Sequence, residues 1–170
     1  MRNATRTVSA LALAGIALLA GTESVLADAG PPLPLDERVR VSDFIGVIEV
    51  VGTTPRSDDK YSDRRPGAGW LQVAIARVKK IVKGPNGPND AIEIDFDNGL
   101  SCPNVRYRAG HRYLVFLARG TSGRLGTVNY DAGAYPIDQG HVDGLAAGVE
   151  GRIKLQSAIK RLKDLVRQGR

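Results

Sequence analysis

The sequence predicts an all-β fold, a small five-stranded antiparallel barrel that is followed by one amphipathic helix. Short runs rich in β-branched and aromatic residues recur between Gly- and Pro-rich connectors, as is typical of strands. The final segment changes to the apolar spacing of a helix. The chain has 170 residues, of which 42% are hydrophobic and 25% are charged, which suits one globular domain and excludes a collagen-like or wholly disordered chain.

Each strand is predicted from its own pattern. The predicted strands are residues 41–52, 70–83, 91–97, 112–119 and a fifth in two pieces, 125–130 and 134–137. Gly46 in the first strand indicates a bulge or bend, and Gly133 interrupts the fifth. The connector 84–90 is dense in turn residues, so it predicts a hairpin between the second and third strands. The third strand alternates apolar and charged residues, the fourth is apolar on both faces, and a small extra hairpin is predicted at 137–142.

A C-terminal helix is predicted from apolar residues at helical spacing, with basic residues on the opposite face. The apolar residues are Leu155, Ala158, Ile159, Leu162, Leu165 and Val166. Five strands and one helix in a domain of this size predict an OB-like barrel. A β-sandwich is the alternative, although it usually has about seven strands.

The N-terminal segment has the order of a secretory signal peptide. Arg2 and Arg6 precede an apolar run, and small residues permit cleavage after Ala27 or after Ala29. The run is shorter than the ~20 residues that span a bilayer, which argues against a membrane anchor. We therefore expect an exported protein, either periplasmic or secreted. The predicted divisions are a signal peptide at 1–27, an extended Pro-rich leader at 28–40, the barrel at 41–142 and a basic C-terminal helix at 143–170.

Positive charge is concentrated at the end of the chain. The net charge is +6, and in residues 151–170 Asp164 is the only acidic residue. The sequence favours a helix that packs its apolar face on the barrel and leaves its charges in water. Weak contact with an anionic membrane surface is the alternative role of this helix. Aromatic residues make up only 5% of the chain and the barrel is nearly neutral, so no nucleic-acid partner is expected.

An ordered set of short motifs resembles a known family. The motifs are 44–50 with its central Gly, 78–84, Ser101-Cys102, 110–117 and 133–135. Together they resemble the netrin-like, tissue-inhibitor-of-metalloproteinases-like OB-fold family in its bacterial exported form, over roughly residues 40–140. The resemblance implies an OB barrel with flanking helices.

Two departures limit what the resemblance implies. The animal inhibitors of that family chelate the zinc of a metalloprotease through the amine and carbonyl of a Cys at the mature N-terminus. Here the mature N-terminus would be Asp28 or Gly30 and no Cys lies nearby, so this inhibitory mechanism is not implied. In relatives the position of Cys102 often pairs with a Cys in or near the fifth strand, but residues 125–137 contain none. We therefore expect apolar burial alone to hold the barrel together.

Few residues offer chemistry beyond binding. Cys102 is the only thiol, so it is expected to be free, as an idle remnant of a lost disulfide, or to form an intermolecular disulfide. A pairing with His111 would instead suit a thiol-dependent enzyme or a redox protein. His111 and His141 are isolated in the sequence, so neither a metal site nor a cofactor is expected.

Three carboxylates share one face of the third predicted strand. Glu93, Asp95 and Asp97 could in principle bind Ca²⁺ or act as an acid/base pair. The better prediction is a solvated ladder of charge pairs across the hairpin. The basic residues available to it on the second strand are Arg77, Lys79 and Lys80.

A complete barrel pattern without a coherent catalytic set predicts an exported, non-catalytic binding module whose partner is another protein. The loops 53–69 and 98–110 are expected to form the contact surface, because loops on rigid scaffolds carry recognition. The candidate binding residues on this rim are Asp58, Tyr61, Arg64, Arg65, Asn104 and Arg106. The alternatives are a thiol-dependent enzyme or redox protein that uses Cys102, and an envelope-surface protein attached through its basic C-terminal helix.

Overall fold

The computed structural model describes residues 33–56, 71–97, 105–120 and 123–169. Two helices and eight strands lie in this part of the chain, together with short 3₁₀ turns at Tyr130–Gly133 and Gly144–Ala147. The helices are α1 (Leu35–Val41) and α2 (Leu155–Gln168). The strands are β1 (Phe44–Pro55), β2 (Leu71–Lys83), β3 (Ala91–Asp97), β4 (Arg112–Arg119), β5 (Leu125–Thr127), β6 (Ala134–Pro136), β7 (His141–Asp143) and β8 (Arg152–Lys154).

Five of these strands close into a barrel. Their order is β1-β2-β3-β5-β4, and an additional pairing of β1 with β4 closes the wall. All of these pairings are antiparallel except β3 with β5, which run parallel where Ile94 faces Leu125 and Asp95 faces Gly126. The predicted OB-like barrel is confirmed, and the parallel pair is the exception to the predicted antiparallel order.

Strands β1 and β4 are apolar on both faces because each face borders a different core. Phe44, Ile48 and Val115 point into the barrel and pack there with residues from the other barrel strands. Ile45 and Phe116 point outward into a second cluster beneath the two helices. A strand that is buried on both faces has a nearly continuous run of apolar residues in its sequence. Both β1 and β4 show this pattern.

Gly46 permits the predicted irregularity in β1. The register between β1 and β2 shifts between Ile45 and Gly46. A Cβ at this position would overlap the Lys80 carbonyl oxygen and the ring of Phe44. Only glycine therefore lets the two strands approach this closely while Phe44 fills the barrel.

Gly133 marks the predicted interruption of the fifth strand. The chain leaves β5, passes through a 3₁₀ turn and resumes as β6, which pairs with a different part of β4. A Cβ at Gly133 would overlap the carbonyl oxygen of Val128 and the methyl group of Thr127. The turn can therefore pack against the end of β5 only without a side chain.

The predicted extended leader is wrong over its last residues. Residues 35–41 form helix α1, with Asp36 and Glu37 in its first turn, where carboxylates complement the positive end of the helix. Ser42 ends the helix, and its hydroxyl donates to the carbonyl of Arg38 at 2.6 Å. The barrel consequently begins at Phe44, three residues later than predicted. Residues 1–32, including the predicted signal peptide, lie outside the described residues.

The predicted helix over 143–170 begins later than expected. Asp143 accepts a hydrogen bond from the backbone of Leu145 at 2.9 Å and starts a 3₁₀ turn, which Gly148 ends with a φ of 64°. The chain then forms β8, which pairs with β7, before α2 begins at Leu155. The predicted hairpin at 137–142 is thus a tight turn, with a bridge between Asp138 and His141, that leads into the β7–β8 pair.

A buried arginine fastens α1 to the barrel. The Arg38 guanidinium donates to the Ala132 carbonyl at 2.7 Å, to the Leu145 carbonyl at 3.0 Å and to the hydroxyl of Tyr135. Its charged carbon lies 5.4 Å from the centre of the Phe116 ring, within cation–π range. One side chain therefore joins the helix, both 3₁₀ turns and β6.

Replacing Arg38 should destabilise the fold strongly. Arg38→Ala removes the donor of three hydrogen bonds, to two carbonyls and one hydroxyl, and we expect the free energy of unfolding to fall by about 2 to 4 kcal/mol. Arg40→Ala is the matched control on the same helix, because the Arg40–Glu37 pair is exposed and should contribute less than about 0.5 kcal/mol. Urea unfolding of both variants measures the difference. If the two variants were equally stable, Arg38 would not be what holds α1 on the barrel.

Candidate functional site

One end of the barrel carries the connections from β1 to β2 and from β3 to β4. The register brings Pro55 of β1 beside Gln72 of β2, and Leu71 of β2 beside Asp97 of β3. Both predicted rim loops therefore leave the barrel at this end. We call it the barrel mouth.

Aromatic side chains close the barrel mouth. The ring of Tyr107 lies edge-on to Phe96 at 5.5 Å and to Tyr113 at 5.2 Å between ring centres. Its hydroxyl shares a hydrogen bond of 2.8 Å with the Thr127 hydroxyl. Burial raises the pKa of Tyr107 above its ordinary value, and the hydrogen bond with Thr127 opposes that rise only in part. The mouth is thus plugged by packed rings.

Buried and exposed residues alternate along the segment 105–108, which lies across the mouth. Val105 and Tyr107 are buried in the barrel core, whereas Arg106 and Arg108 are exposed. The Tyr113 hydroxyl accepts from the Arg108 amide at 3.1 Å and donates to the Arg106 carbonyl at 3.2 Å. One buried tyrosine therefore fixes the backbone that carries both arginines.

The turn before β4 is tied to β1. The amide of Gly110 donates to the Val50 carbonyl at 2.8 Å, and the Val50 amide donates to the His111 carbonyl at 3.0 Å. His111 itself is exposed. The backbone that follows the two arginines is thus anchored to the barrel wall.

A groove of about 430 Å³ lies beside this segment, and we call it the mouth groove. It is lined by Val105, Arg106, Arg108, His111, Tyr113, Ala134 and Pro136. Among the described residues that line it, there are two guanidinium groups and an imidazole but no carboxylate, so the lining presents positive charge and hydrogen-bond donors. Such a surface suits anionic groups, carboxylates in particular.

Of the predicted binding residues, the structure places only Arg106, which lines the mouth groove. Five predicted binding residues and the single thiol lie outside the described residues: Asp58, Tyr61, Arg64, Arg65, Asn104 and Cys102. The postulated contact of Cys102 with His111 is therefore an open prediction. Sequence reasoning missed Arg108, although the alternation of apolar and basic residues at 105–108 was a usable signal for it.

The predicted charge ladder between β2 and β3 is wrong. The register sets Val73 opposite Asp95 and Ile75 opposite Glu93, so apolar residues face these carboxylates across the hairpin. Asp95 instead pairs with Arg56 at 2.9 Å and with Arg124 at 3.9 Å. This carboxylate thereby connects β3 to the end of β1 and to the start of β5.

Lys79, one of the basic residues assigned to that ladder, pairs with Glu49 of β1. The two charged groups are 2.6 Å apart, and the hydrogen bond and charge of Lys79 lower the pKa of Glu49. The β1 register also places Arg77 and Arg112 on either side of Glu49. This carboxylate is therefore already engaged by the protein's own cations.

Metal-ligating side chains are dispersed in the part of the chain that the structure describes. Within it, His, Cys, Asp and Glu side chains do not gather in a group of three that could hold a metal ion. His141 uses its Nδ1 atom locally, 3.0 Å from the carbonyl of Gln139. Neither α1 nor α2 has the length and apolar character that crossing a bilayer requires.

The basic helix packs on the barrel as the sequence favours. Ala158, Ile159, Leu162 and Val166 are buried in the outer cluster. Its charged face meets β2 at a groove of about 250 Å³, lined by Lys80, Gln156, Ile159, Lys160, Lys163, Asp164 and Arg167. Because most of the apolar face is already covered, the helix offers mainly its charges to any further surface.

Tyr113→Phe should release the segment 105–108 while leaving the barrel folded. The hydroxyl that bonds this segment at two backbone atoms is lost, so we expect about 1 to 2 kcal/mol less stability. The amide of Arg108 should exchange with solvent hydrogen faster, and the amide of Ile94 should not. Hydrogen exchange measured residue by residue tests this, and unchanged protection at Arg108 would contradict it.

The buried phenol of Tyr107 should make stability fall at alkaline pH. In the unfolded chain it ionises near pH 10, whereas burial keeps it neutral in the fold. Its contribution is therefore fully present below about pH 10 and is lost as the pH rises above it. Urea unfolding from pH 8 to 11 should show a smaller alkaline loss for Tyr107→Phe than for the wild type. Parallel losses would refute this, since other groups titrate equally in both proteins.

The sequence was also compared with known proteins. No model of a protein family matches the chain, and no curated protein matches it. The OB-like barrel is therefore assigned from strand order and pairing alone, with β3 and β5 as its parallel pair. The netrin-like resemblance stays a prediction from the ordered motifs between residues 44 and 135.

Proposed function

We propose that this chain is an exported, non-catalytic module that binds another protein through the barrel mouth. The observation that carries the proposal is the mouth groove, where Arg106 and Arg108 project from a backbone segment that Tyr113 holds in place. Neither guanidinium forms an ion pair with another described residue. Unpaired donors on a fixed backbone are typical of recognition surfaces, because only the arginine side chains remain to be ordered when a partner arrives.

The netrin-like resemblance supports the same proposal. A rigid barrel whose recognition is carried at one end, beside long connecting segments, agrees with the binding role that the resemblance implies. The absence of a Cys near Asp28 or Gly30 sets the module apart from inhibitors that chelate zinc. We therefore propose a netrin-like binding module without metalloprotease inhibition.

Export is part of the proposal and rests on the N-terminal sequence. Arg2, Arg6, the apolar run that follows them and the small residues at Ala27 and Ala29 have the order of a cleaved signal peptide. The mature protein would then act in the periplasm or outside the cell. Intact mass of the protein isolated from its native source would identify the first residue.

Site-specific crosslinking tests the partner at the barrel mouth. A photoreactive amino acid at position 106 or 108 should capture one protein in the native envelope, and mass spectrometry would identify it. The same group at position 93 is the control, because Glu93 is exposed on the outer face of β3. Capture at position 93 as strong as at 106 would argue against a specific contact at the mouth.

The thiol-dependent alternative predicts an activated Cys102. An ordinary thiol has a pKa near 8.5 and is alkylated slowly at neutral pH, whereas a catalytic thiolate reacts quickly. We expect slow, ordinary alkylation of the mature protein, and the same rate after His111→Ala. Fast labelling that His111→Ala abolishes would replace the binding module with a thiol enzyme.

Attachment to an anionic envelope surface is the second candidate function. It is favoured by Lys80 of β2, which joins Lys160, Lys163 and Arg167 in one groove on the charged face of α2. Since the apolar face of α2 is buried, attachment would be electrostatic, at about 1 kcal/mol for each basic residue near the surface. Sedimentation with anionic vesicles should then disappear at high salt and after Lys160→Glu with Lys163→Glu. No sedimentation at low salt would remove this candidate.

A further inference from the structure

Among the described strands, β6 pairs along one edge only. It pairs with β4 on one side and with no other described strand. The amide of Ile137 donates to the Arg112 carbonyl at 2.9 Å, immediately beyond the paired residues. Hydrogen-bonded pairs alternate along an antiparallel ladder, so Tyr135 faces β4 and the backbone groups of Ala134 and Pro136 face away from it.

The unpaired side of β6 and the arginine-bearing segment border the same groove. Ala134 and Pro136 of β6 line the mouth groove together with Val105, Arg106 and Arg108. Tyr135, whose backbone faces β4, is absent from the lining. The groove therefore lies where a further extended chain would meet the backbone of β6, and its volume falls within the ~300–1,000 Å³ of typical binding sites.

The spacing of the arginines matches an extended peptide. Arg106 and Arg108 are two residues apart and exposed on one side, while Val105 and Tyr107 between and beside them are buried. In an extended chain, alternate side chains also point to one side, about 6.6 Å apart. Carboxylates at every second position could thus meet both guanidinium groups.

We infer that the mouth groove binds an extended acidic segment of the partner protein, which pairs with the free edge of β6 and presents alternate carboxylates to Arg106 and Arg108. The inference rests on the proposed protein-binding function. The edge offers the carbonyls of Ala134 and Pro136 as acceptors and one donor, the amide of Ala134. Strand addition to a sheet edge is an established mode of peptide recognition, in which backbone bonds give affinity and side-chain sites give specificity.

The chain's own leader is a poor occupant of this groove. Residues 28–34 contain three prolines, which have no amide to donate to the β6 carbonyls, and Asp28 is their only carboxylate. A separate acidic segment satisfies both requirements. Pro136 itself keeps the edge short, because a proline on an edge strand removes a donor and limits indiscriminate pairing.

A fluorescent peptide in which glutamate and valine alternate tests the inference on the mature full-length protein. Binding is measured by fluorescence anisotropy. We expect Arg106→Gln and Arg108→Gln each to weaken binding about tenfold or more, because hydrogen bonds to charged groups contribute about 1.5 to 3 kcal/mol. Arg161→Gln, an exposed arginine on α2, is the matched control and should leave binding unchanged.

A second peptide isolates the backbone pairing. Methylation of alternate amide nitrogens removes the donors to β6 without changing the charge, and it should weaken binding about tenfold. Binding should also slow the hydrogen exchange of the Ala134 amide. The inference is overturned if the peptide does not bind, if the methylated peptide binds equally well, or if Arg161→Gln weakens binding as much as Arg106→Gln. In those cases a protein partner could still be crosslinked from position 106. A negative peptide result would therefore reject the acidic extended segment and not the proposed protein-binding function.

Discussion

The pairing of β1 with β4 is the constraint on which the other features depend. These two strands close the barrel and at the same time separate its interior from the outer cluster beneath the helices. The buried stretches of these strands cannot carry a charge without burying it, and an unpaired buried charge is costly. The charged residues of β4, Arg112 and Arg119, accordingly lie at its two ends, and Glu49 of β1 is half-buried and paired with Lys79. Recognition groups therefore gather at the ends of the barrel.

The outer cluster has to be shielded from water, and the elements that shield it are not stable by themselves. Helix α1 has seven residues, too few for a stable helix in isolation, and the chain has one Cys and so no intrachain disulfide. Arg38 compensates by bonding the carbonyls of Ala132 and Leu145 from within the cluster. The packing of α2 completes the cover and leaves its charges in water, which is why a helix with this pattern need not insert into a membrane.

Patterns that depend on local chemistry were predictable from the sequence, and those that depend on remote partners were not. The bounds of β3 and β4 follow from alternation and from continuous apolar character, and Gly46 and Gly133 mark close approaches that forbid a side chain. Helix α1 was missed because seven residues after a proline give almost no periodicity. Its stability comes from Arg38, whose partners lie more than 90 residues away. The mouth groove was only partly predictable from the sequence. Arg106 and Pro136 are 30 residues apart, and they line the same groove only because β6 pairs with β4.

Two of the segments that line the groove are held in place by different contacts, and these contacts matter for recognition. The segment 105–108 is held by Tyr113, whose hydroxyl is satisfied by the backbone on both sides. The other segment is β6, which pairs with β4 and follows the close approach of Gly133 to Val128. Because neither backbone segment has to be ordered on binding, the conformational entropy that this protein loses is largely that of the two arginine side chains. The same rigidity imposes a spacing, so a partner must present its charges along an extended backbone to engage both arginines at once.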